Sequence, residues 1–190
     1  MRLTREKSAE NRKTVVAIAS RLFREKGFDG VGLDEIMREA GLTHGGFYRH
    51  FESKDKLAAE AVAHALAVSA ERQATVPSLA DYVASYLSPR HRDGIGGGCV
   101  MAALAGDIAR HGTEPRRRLG DAVREQMARL ENWLGGRNVA ARRQQAIATL
   151  AGMVGALVLA RAVDDATLSD EILAAGRAAF GGVPDGRTAD

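Results

Sequence analysis

Apolar residues recur at helical spacing along almost the whole chain, and no stretch alternates in the two-residue period of a half-buried strand. Val15, Ile18, Ala19, Leu22 and Phe23 share one helix face, and Gly27 follows as a residue free to take the left-handed conformation that ends a helix. Leu33, Ile36, Met37 and Ala40 repeat the pattern over a short second helix stopped at Gly41. Thr43 is placed to cap a third short helix reaching about His50, with Phe47 and Phe51 turned inward. Ser53 caps a longer one carrying Leu57, Ala61, Ala65 and Val68. After Thr75-Val76-Pro77-Ser78 the pattern restarts. It gives a helix over Leu79–Leu87 closed by Ser88-Pro89, then a loop over 90–98. Further helices run over Cys99–Arg110, from Thr113 to Leu134, and from Asn138 to about Val163; a last one is capped by Ser169 and ends at Gly181-Gly182. Alanine is the commonest residue and aromatics make up only 5%, which favours helix over strand. The expected fold class is all-α.

A single cysteine, Cys99, excludes an intramolecular disulfide and any multi-cysteine zinc site, and no metal is expected. The first residues are basic but lack the apolar run of a signal peptide. The longest mostly apolar uncharged stretch, 144–160, falls just short of a membrane span and suits a buried helix. A soluble, cytoplasmic protein without a membrane partner is expected. The net charge of +3 is modest, but its placement is informative. All five lysines lie within the first 56 residues, and the remainder of the chain is balanced. A basic head on a neutral body points to an anionic partner for the head.

The head has a sharper feature. Two short helices, Leu33–Ala40 and Thr43–His50, flank a tight turn at Gly41-Leu42, the spacing of a helix-turn-helix. In that motif the second helix enters the major groove of DNA, which would bring Thr43, His44, Gly45, Gly46, Tyr48 and Arg49 to the duplex. Arg49 and His44 have donors suited to guanine, and Tyr48 and His50 suit phosphate oxygens. Adjacent glycines inside a helix cost about 1 kcal/mol each relative to alanine, and close backbone approach to DNA is one reason to keep them. Lys54 and Lys56 sit in the first turn of a helix, where the dipole disfavours cations. A phosphate bound at that helix start, by amide N–H groups and Lys54, would resolve the conflict.

Residues 8–68 resemble the DNA-binding domain of the TetR family of bacterial transcriptional regulators. The likeness rests on Ala19, Leu22, Phe23, Gly27, Phe28, Asp34, Ile36 and Leu57, and above all on the run Ala40-Gly41-Leu42-Thr43-His44-Gly45-Gly46-Phe47-Tyr48-Arg49-His50-Phe51, followed by Lys54. The resemblance implies a three-helix head with its helix-turn-helix over about 31–50, joined to a helical bundle over 69–182 that binds an effector and dimerises, and a frayed tail at 183–190. It makes Tyr48, His50 and Lys54 phosphate contacts and puts His44 and Gly45 in the segment facing the groove. Two positions depart from the family: Gly32 stands where a capping, phosphate-touching threonine is usual, and Gly46 where threonine, serine or alanine is usual. Base readout would then lean on Thr43, His44 and Arg49, or on DNA shape. The function implied is a site-specific regulator, more a repressor than an activator, which binds a near-palindromic double-stranded operator as a homodimer and is released by a small molecule.

The body carries features of its own. Residues 146–160 are apolar on every side of a helix, so the helix must be covered all round, and a second subunit is a natural cover. Gly152, Gly155, Ala156 and Leu159, with Ile172, Gly176 and Phe180 of the last helix, are the candidate dimer interface. Cys99, Met101, Leu104, Ile108, Met127 and Trp133 are candidates to line an effector pocket; plain core is their simpler role. Cys99 at a helix start could also serve as an oxidant or electrophile sensor. No enzyme and no cofactor are expected. Gly94-Ile95-Gly96-Gly97-Gly98 lacks both the third glycine and the preceding strand of a dinucleotide site, and nothing fixes Cys99 near His91 or His111 as a nucleophile–base pair.

Overall fold

The structure, a computed structural model, describes residues 5–182. Among them every regular element is a helix: α1 (Arg5–Lys26), α2 (Leu33–Glu39), α3 (Lys54–Ala74), α4 (Leu79–Tyr86), α5 (Pro89–Asp93), α6 (Val100–Arg110), α7 (Thr113–Leu134), α8 (Val139–Ala162) and α9 (Ala166–Phe180), with short 3-10 segments at His44–Arg49 and Ile95–Gly97. The expected tail at 183–190 lies outside the described residues. The chain divides into two compact units. The first holds the described residues up to Ala70 together with Ile95–Leu119; the second holds Glu71–Gly94 and the described residues from Gly120 onward. Residues 95–119, expected in the bundle, group with the head.

In the first unit, α1 ends where its sequence says it must. Gly27 takes φ +77° and its N–H donates to the Phe23 carbonyl at 2.8 Å. Phe23, Phe28, Phe47 and Phe51 are buried in one core with Val31, Ile36, Met37 and Leu57. Their rings meet edge-on (Phe23–Phe28, 5.2 Å) and stacked (Phe47–Phe51, 5.5 Å), arrangements that aromatic quadrupoles favour. Residues of α6 complete this core. Leu104 and Ile108 are buried in it, and the Phe28 N–H donates to Asp107 Oδ2 at 3.1 Å, which satisfies a backbone donor just beyond α1. Arg24 donates from both Nε and Nη2 to the Gly96 carbonyl. These bonds account for the grouping of 95–119 with the head, which helical periodicity cannot report.

The second unit is built on the antiparallel pair α8 and α9. The pair closes on small residues: a Cβ added at Gly152 would stand 2.1 Å from the Phe180 ring, and one at Gly176 would stand 2.7 Å from Leu87 Cδ1. Arg161 of α8 donates to the carbonyls of His91 (2.7 Å) and Arg92 (2.9 Å), and Arg92 reaches Asp170 of α9 at 2.7 Å. Tyr82 packs against Trp133, ring centroids 5.4 Å apart.

Three local expectations are corrected. Ser88-Pro89 does not only close α4; it opens α5, because the Ser88 hydroxyl caps the His91 N–H and proline suits the first helical position. The expected loop at 90–98 is therefore a helical turn followed by a 3-10 turn. The cap of α9 is Asp165, whose carboxylate accepts from the Thr167 and Leu168 N–H groups; Ser169 is buried and donates to the Ala160 carbonyl at 2.6 Å. Finally, α8 is long and apolar enough to cross a membrane by length and composition alone, although the uncharged stretch within it looked too short. One face of it is buried in the unit, through Ala146, Leu150, Met153, Leu157 and Ala160.

Candidate nucleic-acid interface

The turn between α2 and the following segment is set by hydrogen bonding. The Gly41 N–H donates to Arg38 O (3.0 Å) and the Leu42 N–H to Met37 O (2.9 Å), with Gly41 at φ +69°. This is a Schellman closure, which needs a left-handed residue at its second-last position and explains why glycine stands there. Gly32 starts α2 in extended conformation without a side-chain cap, as its lack of a hydroxyl dictates.

The segment after the turn departs from expectation. His44–Arg49 is a 3-10 helix rather than an α-helix, and Thr43 precedes it with no side-chain cap. Gly46 N–H donates to Thr43 O and His50 N–H to Phe47 O, the three-residue pattern of a tighter turn. Two glycines weaken the α form here, and six residues are too few to recover the loss. Neither glycine is required by the fold, since neither has positive φ. A Cβ at Gly45 would meet open space and one at Gly46 only ordinary contacts at 3.6 Å or more.

Phe47 anchors the segment, fully buried, while its neighbours Thr43, His44, Gly45, Tyr48 and Arg49 are exposed. Tyr48 is 66% exposed, the largest value among the exposed big apolar side chains described, and its ring makes T-shaped contacts with Phe47 and His44. His50 is half-buried, and its carbonyl accepts from Arg12 Nε at 3.4 Å; Arg12 also lies over the Phe51 ring and pairs with Glu60. Lys54 and Lys56 occupy the first turn of α3, which Ser53 caps by accepting from the Lys56 N–H at 3.2 Å. Thr43, His44, Gly45, Gly46, Tyr48, Arg49, His50 and Lys54 thus lie within twelve residues along one segment and the helix start that follows it.

Charge is sorted around the site. Two of the three carboxylates of α2 are neutralised from α1: Glu39 by Arg21, and Glu35 by Lys26 at 2.5 Å. The Lys26 hydrogen bond holds the Glu35 carboxyl below its ordinary range, and the bonds that Arg21 donates to Glu39 and Glu25 raise the pKa of its guanidinium. Among the described residues Arg49, Lys54 and Lys56 enter no ion pair. Cations left unpaired beside an exposed tyrosine suit an anionic polymer. Arg12 and Asp34, the latter 2.5 Å from His44, are partners that sequence spacing did not single out as such. Both reach across helices, and only the fold makes them neighbours.

The other candidates are distributed as follows. Leu104 and Ile108 are core residues of the first unit. Cys99 and Met101 are half-buried beside them in sequence, Cys99 as the residue preceding α6. Met127 is buried and Trp133 half-buried in the second unit. A groove of about 510 Å³ in that unit is lined by Pro89, Thr167, Leu173 and Arg177 among others, and by none of the six. Of the interface candidates, Gly152, Gly176 and Phe180 pack inside the protomer, and Ala156 faces the same contact. Gly155 meets open space and Leu159 is 56% exposed. Ile147, Val158 and Leu168, which were not singled out, are also exposed. On α8 the positions 147, 151, 155 and 158 follow helical spacing, a signal present in the sequence but hidden by the apolar residues on the helix's other faces.

The head is a helix-turn-helix unit with an exposed, cationic second element. Residues 15–61 match the family model for bacterial regulatory proteins, tetR family. The chain is 37% identical over 59 residues to the HTH-type transcriptional regulator AcrR of Shigella flexneri, 31% of this chain and 27% of that protein. Over nearly its full length it shares the fold of a TetR-family regulator from Cytophaga hutchinsonii (TM-score 0.77, 21% identity, 96% of this chain and 98% of that one). A TetR regulator from Chloroflexus aurantiacus gives a TM-score of 0.76 at 26% identity, covering 91% and 95%. The chain thus carries a head similar to the DNA-binding part of tetR-family regulators, and over nearly its full length its fold is that of the TetR-family structures. Its sequence match to the curated relative spans little more than a quarter of that relative's length.

Proposed function

We propose that this chain is a cytoplasmic, homodimeric repressor that binds a near-palindromic operator through Thr43–Lys54 and is released by a small molecule. The observation carrying the reading is the face around Tyr48. Tyr48 is held out to solvent beside Arg49 in sequence, on the element that a helix-turn-helix inserts into the major groove, and Lys54 and Lys56 follow at the start of α3. Phosphate binding by Tyr48, His50 and Lys54, with the start of α3 lending its amide N–H groups, would fix register. Thr43, His44 and Arg49 would then meet base edges. Gly45 and Gly46, which the fold does not need, leave room for the DNA backbone to approach.

Dimerisation is supported by the apolar stripe of α8 and α9, where Ile147, Val158, Leu159 and Leu168 are exposed in the single chain. Pairing two copies places two reading elements about one helical turn of DNA apart, roughly 34–36 Å. An effector that favours another spacing lowers operator affinity by no more than its differential affinity for the two states.

Selection of bound duplexes from a random pool tests the reading. The expected product is an inverted repeat bound by two chains, with sedimentation showing a dimer before DNA is added. Recovery of single, unrepeated sites by a monomer would overturn the dimeric operator, and recovery of unselected sequence would overturn specific binding.

A further inference from the structure

Asp34 lies in the first turn of α2, and His44 opens the 3-10 segment that follows the turn. The imidazole Nδ1 stands 2.5 Å from Asp34 Oδ1. A carboxylate only accepts, so Nδ1 carries the proton in this pair, and Nε2 is the ring atom left to point away from it. Both side chains are open to solvent, 51% exposed for His44 and 79% for Asp34, so packing does not hold the ring. Its other described contact is the edge of Tyr48, at 6.4 Å between centroids. An exposed pair of this kind adds little to folding stability. It does fix which nitrogen is bare on the face proposed to meet DNA.

We infer that Asp34 is a positioning residue for base readout. It holds His44 in the Nδ1–H form, so that Nε2 offers a lone pair to the major groove and accepts from an amino group, adenine N6 or cytosine N4. Those are the groove's donors, whereas guanine and thymine offer acceptors at the equivalent positions. The inference rests on the regulator reading above and adds the chemistry of one contacted base in each half-site. Arg49, a donor only, would read guanine on the same face.

Two measurements on the full-length protein test it. The first is a long-range proton–nitrogen spectrum of the histidine rings without DNA, assigned with His44→Gln. It should show His44 protonated at Nδ1 alone, and Asp34→Ala should move the proton to Nε2. A wild-type ring protonated at Nε2, or at both nitrogens, overturns the inference. The second is selection from a random duplex pool with wild type, Asp34→Ala, Asp34→Asn and His44→Ala, each first shown to be folded. Wild type should prefer adenine or cytosine at one position per half-site, by about tenfold. Asp34→Ala and His44→Ala should lose that preference at that position alone, and Asp34→Asn, which keeps an accepting oxygen, should retain it. Asp34→Ala weakening all sequences equally would mark the pair as merely structural and overturn this inference alone. A wild type that selects no sequence overturns the regulator reading and this inference together.

Discussion

The two units leave opposite kinds of surface unfinished. The first buries its phenylalanines and then exposes Tyr48, His44, Arg49 and Lys56, with Lys54 half-buried, on one short segment and the helix start beyond it. The second pairs its half-buried arginines with backbone carbonyls and carboxylates inside the protomer, then exposes isoleucine, valine and leucine along α8 and α9. An exposed polar face is no anomaly by itself, and scattered exposed apolar residues are normal. What counts is contiguity: cations that enter no ion pair along one segment, and aliphatic residues at helical spacing on another. Each unit is therefore complete as a fold and incomplete as a surface. On the reading proposed above, the first surface meets a polyanion and the second a copy of itself.

Four substitutions or titrations bear on this contrast. Phe47 is fully buried and fixes the segment that carries Tyr48. Phe47→Ala should cost about 3–5 kcal/mol in denaturant unfolding and abolish duplex binding with it. Unchanged unfolding would mean that the segment is not anchored through the core. On the other unit, Leu159→Glu puts a carboxylate into the proposed dimer face at a position already open in the single chain. Helicity should be retained while the dimer dissociates more than a hundredfold more readily, about 3 kcal/mol, by sedimentation. A dimer indifferent to this charge would place the pairing surface elsewhere.

Lys54→Ala sharpens the first half of the contrast. It should leave unfolding unchanged, weaken binding to all duplexes alike, and lower the salt dependence by about one counterion per site. Sequence-selective weakening would instead make Lys54 a base reader. The smallest effect concerns His91. Burial pushes its imidazole pKa below the ordinary value, opposed by its bond to the Tyr86 carbonyl, with Arg161 adding to the depression. The unfolded chain then binds the proton first as pH falls. Stability should be intact above the ordinary histidine range, about 6.5, and decline as pH drops through it towards the lowered folded value. His91→Gln should flatten that slope in unfolding experiments at several pH values.

The head was legible in the sequence because its signals are local. Gly27 and Gly41 stand where left-handed backbone is required, Phe47 and Phe51 return at core spacing, and the run from Ala40 to Phe51 carries a family pattern on top of them. What was missed there depends on tertiary contact. No periodicity reports that Asp34 meets His44, that Arg12 lies over Phe51, or that Asp107 binds the Phe28 N–H. The 3-10 form of His44–Arg49 was a matter of degree, since the two glycines argued against an α-helix from the start. In the body, the small residues of α8 and α9 were legible as sites of close helix approach. Whether the approaching helix belongs to the same chain or to another was not, and Gly152 and Gly176 serve the chain's own hairpin. Leu104 and Ile108 show the same limit, because an inward-facing apolar residue looks alike whether it faces a core or a cavity.

The central claim is that the face around Tyr48 binds DNA specifically as part of a dimer. Its most direct test is a fluorescence-anisotropy titration of a labelled duplex from upstream of the protein's own gene, against a scrambled duplex, at two salt concentrations. The account predicts tight binding to the native duplex alone, saturating at an even number of chains, with affinity falling steeply as salt rises. Absence of binding to either duplex at low salt, under conditions where the protein is folded and dimeric, would contradict it.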